Sequence, residues 1–195
     1  MNLAHFFTFL RIGLSPFFSI FYLGYERFGI SLPTLSILLF ILLLISEFSD
    51  ILDGFLARRS NQVTDLGKVL DPMADSITHI SLFFAFTQGI IQLPIALVLI
   101  FFYRDFLVST LRTLCALKGV ALAARSSGKI KTILQGVAAF LIVFSMVLYS
   151  FELLSLDKLQ NLSLIAASIA AIYTAISSVD YFYANRIYIQ KALRT

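Results

Sequence analysis

Four aspartates stand in two pairs across a short stretch of chain: Asp50 and Asp53, three residues apart, and Asp71 and Asp75, four apart. On a helix each spacing puts the pair on one face, because residues three and four apart are surface neighbours. The chain is expected to turn near Asn61 to Thr64, so that two consecutive helices form a hairpin with its midpoint between Gln62 and Val63. Counted outward from that midpoint, Asp50 and Asp75 lie equally far and Asp53 and Asp71 nearly so, which predicts four carboxylates at matching depth. Such a group does not stay ionised in a low-dielectric site by itself, since each like charge raises its neighbours' pKa. An all-oxygen donor set points to hard divalent ions, Mg²⁺ first and Mn²⁺ second, and four carboxylates suit two ions about 3.5–4 Å apart. A pair of ions so placed serves phosphoryl chemistry, neutralising both the attacked phosphate and the leaving one. A fifth acid, Asp65, falls at the turn and reads as a helix cap.

The residues between the acids fit a phosphorylated ligand. Gly54 and Ala57 leave one helix wall bare beside the acids, and Gly67 does the same on the facing helix. Arg58, one turn beyond Gly54, is placed for a phosphate or pyrophosphate. Pro72 removes a backbone hydrogen bond next to Asp71 and is expected to bend that helix. For Gly54 and Gly67 taken singly, close helix packing explains as much.

The elements that must position these residues are apolar. Of the 195 residues 59% are hydrophobic and 13% charged, and the mean hydropathy is +0.90, far from a soluble composition. The expected fold is an all-α integral membrane protein forming one domain over residues 1–195. A transmembrane helix needs about 20 mostly apolar residues, and six spans are read near residues 10–25, 33–58, 66–90, 93–116, 131–153 and 160–185. The stretch "MNLAHFFTFLR" before the first is expected to lie flat in the interface as a short amphipathic helix. The N-terminal apolar run reads as part of this polytopic pattern rather than as a cleaved leader. The single Cys115 excludes an internal disulfide framework and reads as a small apolar filler.

Basic residues cluster around the second connection (Arg58, Arg59, Lys68), the fourth (Lys118, Arg125, Lys129, Lys131) and the C-terminus (Arg186, Lys191, Arg194), against Arg27 and Lys158 on the other side. The positive-inside rule then places both termini and the acid hairpin at the cytoplasmic face of the cell (inner) membrane. The net charge of +4 is accounted for by this topology and by lipid headgroups, with no nucleic-acid partner implied. Asp53 and Asp50 fall roughly 9 and 13 Å below Arg59 along the helix, in the cytoplasmic half of the membrane. Tyr181, Tyr183 and Tyr188 read as interface belt residues.

The run Asp50-x-x-Asp53-Gly54-x-x-Ala57-Arg58-x8-Gly67-x3-Asp71-x3-Asp75 matches, without gap or substitution, the signature of the CDP-alcohol phosphatidyltransferases. That resemblance implies a six-helix membrane enzyme, homodimeric, that displaces CMP from a CDP-linked lipid by an alcohol. It implies two divalent ions on Asp50, Asp53, Asp71 and Asp75, and a CDP site formed by Asp50, Asp53, Gly54, Ala57, Arg58 and Gly67. Asp75 would be the general base. Within the family, "TFLRIGLSPFF" (Thr8 to Phe18), "DGFLARR", "LDPMAD", "YRDFLVSTLR" (Tyr103 to Arg112) and "RSSGKIKT" (Arg125 to Thr132) resemble the bacterial phosphatidylglycerophosphate synthases, which implies CDP-diacylglycerol and sn-glycerol 3-phosphate as substrates. One departure is Ser76, where those enzymes commonly carry Lys.

Basic residues argue separately for a phosphorylated acceptor. Arg104, Arg112, Lys129 and Lys131 are expected to form a pocket for its phosphate, Arg as a bidentate fork and Lys as a point charge. The blander reading pairs Arg104 with Asp105 or Asp180. Other acceptors, namely serine, inositol phosphate or phosphatidylglycerol, stay open, as does a divalent-cation transporter using the same acids. A transporter would place its site at the midplane between inverted repeats, and no such repeat is visible. His79 reads as a hydrogen-bonded group inside the bundle and Glu47 as an outer neighbour of the acids, without assigned roles.

Overall fold

A computed structural model describes the backbone of residues 3–59, 65–117, 119 and 125–193. The side chains of residues 3–5, 7, 50–59, 65–69, 71 and 191–193 lie outside that description. Among the described residues all regular structure is helical: α1 Leu3–Gly24, α2 Leu32–Arg59, α3 Asp65–Ala85, α4 Ile95–Leu117, α5 Ser126–Ser150 and α6 Leu156–Leu193. Among the described residues three segments, not the six expected, are long and apolar enough to cross a membrane: Leu32–Ser49, Ser126–Ser150 and Leu156–Gln190. These apolar helices mark a membrane protein.

The N-terminal stretch is not a separate interfacial segment. Residues 3–24 form one helix that runs through Pro16, and Thr8, Arg11, Ser15, Phe18 and Tyr22 make a buried stripe on it. Their spacing of three and four residues puts them on one face, and that face packs against both α2 and α3. The polar members of the stripe need bundle partners, so the segment goes inside rather than flat on a surface. α3 also departs from expectation, ending at Ala85. There the chain turns through Gly89 and Gln92, both at positive φ (68° and 55°), and a hydrogen bond from the Leu93 amide to the Phe86 carbonyl closes the turn at 2.9 Å. Gly89 is required, because a Cβ would also lie 3.0 Å from the Tyr22 hydroxyl.

Hydrogen bonds between helix ends show that the six helices alternate in direction. At one end Tyr22 donates to the Gln88 carbonyl (2.9 Å), Gln160 to the Ile90 carbonyl (2.9 Å) and Ser36 to Ser150 (2.9 Å). This end encloses the apolar core, in which Phe83 packs on Phe101 (ring centroids 4.8 Å apart) and Phe86 meets Tyr22 edge-on at 5.5 Å. Edge-on and tilted pairs of this kind add to the area they bury. Cys115 is buried, as its composition reading expected.

Candidate active site

The opposite end of the bundle is polar. Asp75, on α3, accepts a hydrogen bond from Arg11 Nη1 of α1 at 2.6 Å, and the arginine side chain is only 3% exposed. A buried guanidinium in an apolar helix is costly unless paired, and this carboxylate supplies the pair. One turn deeper, His79 Nε2 of α3 faces Glu47 Oε1 of α2 at 3.5 Å, an electrostatic contact longer than a good hydrogen bond. Gly136 of α5 lets the backbone come against this glutamate, for a Cβ there would sit 3.2 Å from Glu47 Oε2. A narrow polar cavity between α1, α2, α3 and α5 is lined by Arg11, Glu47, Asp75, Thr78, His79 and Thr132.

The Glu47 to His79 contact fixes how α2 and α3 are registered. Asp50 follows Glu47 by three residues, and Asp75 precedes His79 by four, so each lies one turn nearer the connection. Asp53 and Asp71 lie a further turn out. The register expected from the sequence therefore agrees with this described contact. The side chains of Asp50, Asp53, Gly54, Ala57, Arg58, Gly67 and Asp71 lie outside the described residues, so the CDP-side residues are placed only by their helices. Among the described residues α2 and α3 do not pack directly on each other; α1 and α5 each pack against both. Glu47 and His79 reach toward each other across the gap.

The expected basic pocket divides. Arg104 and Lys131 come together on one buried carboxylate: Lys131 Nζ lies 2.9 Å from both oxygens of Asp105, and Arg104 Nη1 donates to Oδ1 at 2.9 Å. Of the two partners considered for Arg104, packing selects Asp105. Asp180 is taken by Arg125, whose Nε and Nη2 donate at 2.9 and 3.0 Å, and by Ser127 at 2.6 Å. Arg112 stands apart, its guanidinium 5.5 Å from the centroid of the Tyr181 ring, a cation–π contact. It has no carboxylate partner among the described residues. Lys129 is exposed in the first turn of α5. Tyr181 is consequently no belt residue: it is 1% exposed beneath Arg112, while Tyr183 and Tyr188 are exposed as expected. Ser76, the departure noted above, donates to Asp105 Oδ2 at 2.8 Å.

Sequence reasoning missed Arg11, Asp105 as an acceptor of several bonds, and Arg125. A signal existed for the first, since an arginine inside an otherwise apolar run demands a counter-charge. The helix supplying that counter-charge was not legible from spacing.

The chain is similar to proteins of known family. Residues 1–179 match the family described as CDP-alcohol phosphatidyltransferase. A Bacillus subtilis (strain 168) protein is 33% identical over 192 residues, covering 94% of this chain and 95% of the relative. One from Rickettsia bellii (strain RML369-C) is 31% identical over 189 residues, with 96% and 97% covered. One from Treponema pallidum (strain Nichols) is 28% identical over 191 residues, with 93% and 87% covered. All three bear the name CDP-diacylglycerol–glycerol-3-phosphate 3-phosphatidyltransferase. With the family matched from the first residue through most of α6, the chain belongs to the CDP-alcohol phosphatidyltransferase family and is a transferase.

Proposed function

We propose that the protein transfers the phosphatidyl group of CDP-diacylglycerol to sn-glycerol 3-phosphate, giving phosphatidylglycerophosphate and CMP. One observation carries this reading. The acid turn of α3 and a pair of cations meet in one place, because Ser76, next to Asp75, hydrogen-bonds the carboxylate that holds Arg104 and Lys131. Relatives named for this reaction over nearly their whole length support it. The family generally uses divalent metals. Asp50, Asp53, Asp71 and Asp75 are the residues that would hold two of them, Mg²⁺ or Mn²⁺, and the oxygen donor set and the α2–α3 register fit them. When bound, such ions neutralise diphosphate charge.

The chain's own residues do the rest. Gly54, Ala57, Arg58 and Gly67 line the CDP side, with Arg58 on the pyrophosphate. Arg104 and Lys131, held together on Asp105, draw in the acceptor's phosphate. Asp75 takes the proton from the acceptor hydroxyl, whose oxygen attacks the phosphorus bonded to diacylglycerol, and the bond to CMP breaks. Arg11 holds the Asp75 carboxylate in place. All six helices cross the cell (inner) membrane, with both termini and the polar end at the cytoplasm, where a soluble phosphate ester meets a lipid whose chains stay in the bilayer. Residues 1–195 act as one domain, surrounded by membrane lipids, and two copies form the working dimer.

The test is CMP release by purified protein given CDP-diacylglycerol and Mg²⁺ with glycerol 3-phosphate, serine, inositol phosphate or phosphatidylglycerol in parallel. Release is expected to be fastest with glycerol 3-phosphate. Faster release with any of the others overturns the acceptor, and no release with any overturns the reaction.

A further inference from the structure

Asp105 is an unusual residue to find among cations that serve a phosphate. It is 6% exposed, and Arg104, Lys131 and Ser76 all donate to it, from α4 itself, α5 and α3. Two buried cations without it would repel each other in a medium that solvates neither. With it, the pair keeps a net charge of one and fixed geometry. Lys131 also lies within electrostatic reach of Asp75.

The Ser76 bond gives this cluster a second property. Ser76 adjoins Asp75 on α3, so a single hydrogen bond of 2.8 Å ties the turn carrying the base to the carboxylate carrying the cations. An acceptor with a phosphate at one end and a reacting hydroxyl at the other must bridge those two points. A tied gap admits one length well and others poorly, because a misplacement of about 1 Å costs on the order of 10²-fold in rate.

We infer that Asp105 and Ser76 are positioning residues that set the span from the acceptor's phosphate to Asp75, and so gauge the length of the acceptor. The inference rests on the reading of Asp75 as base and glycerol 3-phosphate as acceptor. The gauge selects a three-carbon phosphate ester over a longer one.

The experiment compares kcat/KM for sn-glycerol 3-phosphate and for D-erythritol 4-phosphate, one carbon longer, in the wild type and in Ser76→Ala, Ser76→Thr and Asp105→Asn. Glycerol 3-phosphate binding without turnover is measured by calorimetry, and melting is followed in detergent. In Ser76→Ala the preference for the shorter ester is expected to shrink about tenfold, the order of one hydrogen bond to a charged group. Its KM for glycerol 3-phosphate rises and its calorimetric affinity falls, while KM for CDP-diacylglycerol is unchanged. Ser76→Thr keeps the hydroxyl and restores the preference. Asp105→Asn shows a larger loss of the same kind; should it not fold, the two Ser76 variants decide. An unchanged preference and unchanged glycerol 3-phosphate affinity in Ser76→Ala, or a wild type indifferent to acceptor length, overturns the gauge while leaving the reaction intact. A wild type that releases no CMP with glycerol 3-phosphate overturns the reaction and the gauge together.

Discussion

The two ends of this bundle are built from the same six helices but are held together by different physics. At the end carrying the turn around Gly89, rings and aliphatic side chains fill the space, and neutral hydrogen bonds from Tyr22, Gln160 and Ser36 close the helix ends. At the other, charges reach across helices, Arg11 to Asp75, Glu47 to His79, Lys131 to Asp105 and Arg125 to Asp180, and Arg104 joins Asp105 within α4. Close packing tolerates small changes of shape at some cost in stability. A buried ion pair tolerates loss of a partner poorly, because the survivor is left desolvated and unpaired. The apolar end is thus a clamp that keeps the helices in register, and the polar end spends that rigidity on holding carboxylates and cations at set distances.

The sharpest way to break this division is at Asp75. Asp75→Asn removes the base and is expected to lower transfer by at least about 10²-fold, with a fall in melting temperature as well, since the amide oxygen still accepts from Arg11 but leaves its buried charge uncompensated. Arg11→Ala should lower transfer less, by about tenfold, while also lowering the melting temperature through the lost charged hydrogen bond. Near-normal turnover by Asp75→Asn would remove it as base. At the clamp the order reverses. Phe83→Ala empties a fully buried site beside Phe86 and Phe101 and is expected to cost about 3 kcal/mol of stability, with kcat per folded molecule unchanged. A selective loss of kcat without a fall in melting temperature would contradict the division. The smallest effect is expected of Gly89→Ala, about 1–2 kcal/mol, from a side chain forced into positive φ against the Tyr22 hydroxyl. Equal melting of Gly89→Ala and wild type would show that this turn bears no strain.

Much of the fold was legible because hydropathy is local. Long apolar runs set the helices, and the turns near Gly89 and after Ser150 differ from expectation chiefly in where they begin. The stretch before the first span reads as interfacial from sequence; only packing against α2 and α3 shows that Thr8, Arg11 and Ser15 form the inner stripe of one continuous helix. The acid pairs were legible for the same local reason, since spacing within one helix settles which side chains share a face.

Composition by itself determined that this chain is a strongly apolar helical protein suited to a membrane, and spacing that its acids stand three and four residues apart on two consecutive helices. Which cation meets which carboxylate was decided only by the tertiary structure: Arg125, at the start of α5, takes Asp180, and Lys131 of α5 joins Arg104 on its helix neighbour Asp105. The reason is geometric. Periodicity specifies direction around one helix axis, whereas a contact between helices depends on separation, register and the small residues that permit approach, and no single segment encodes those.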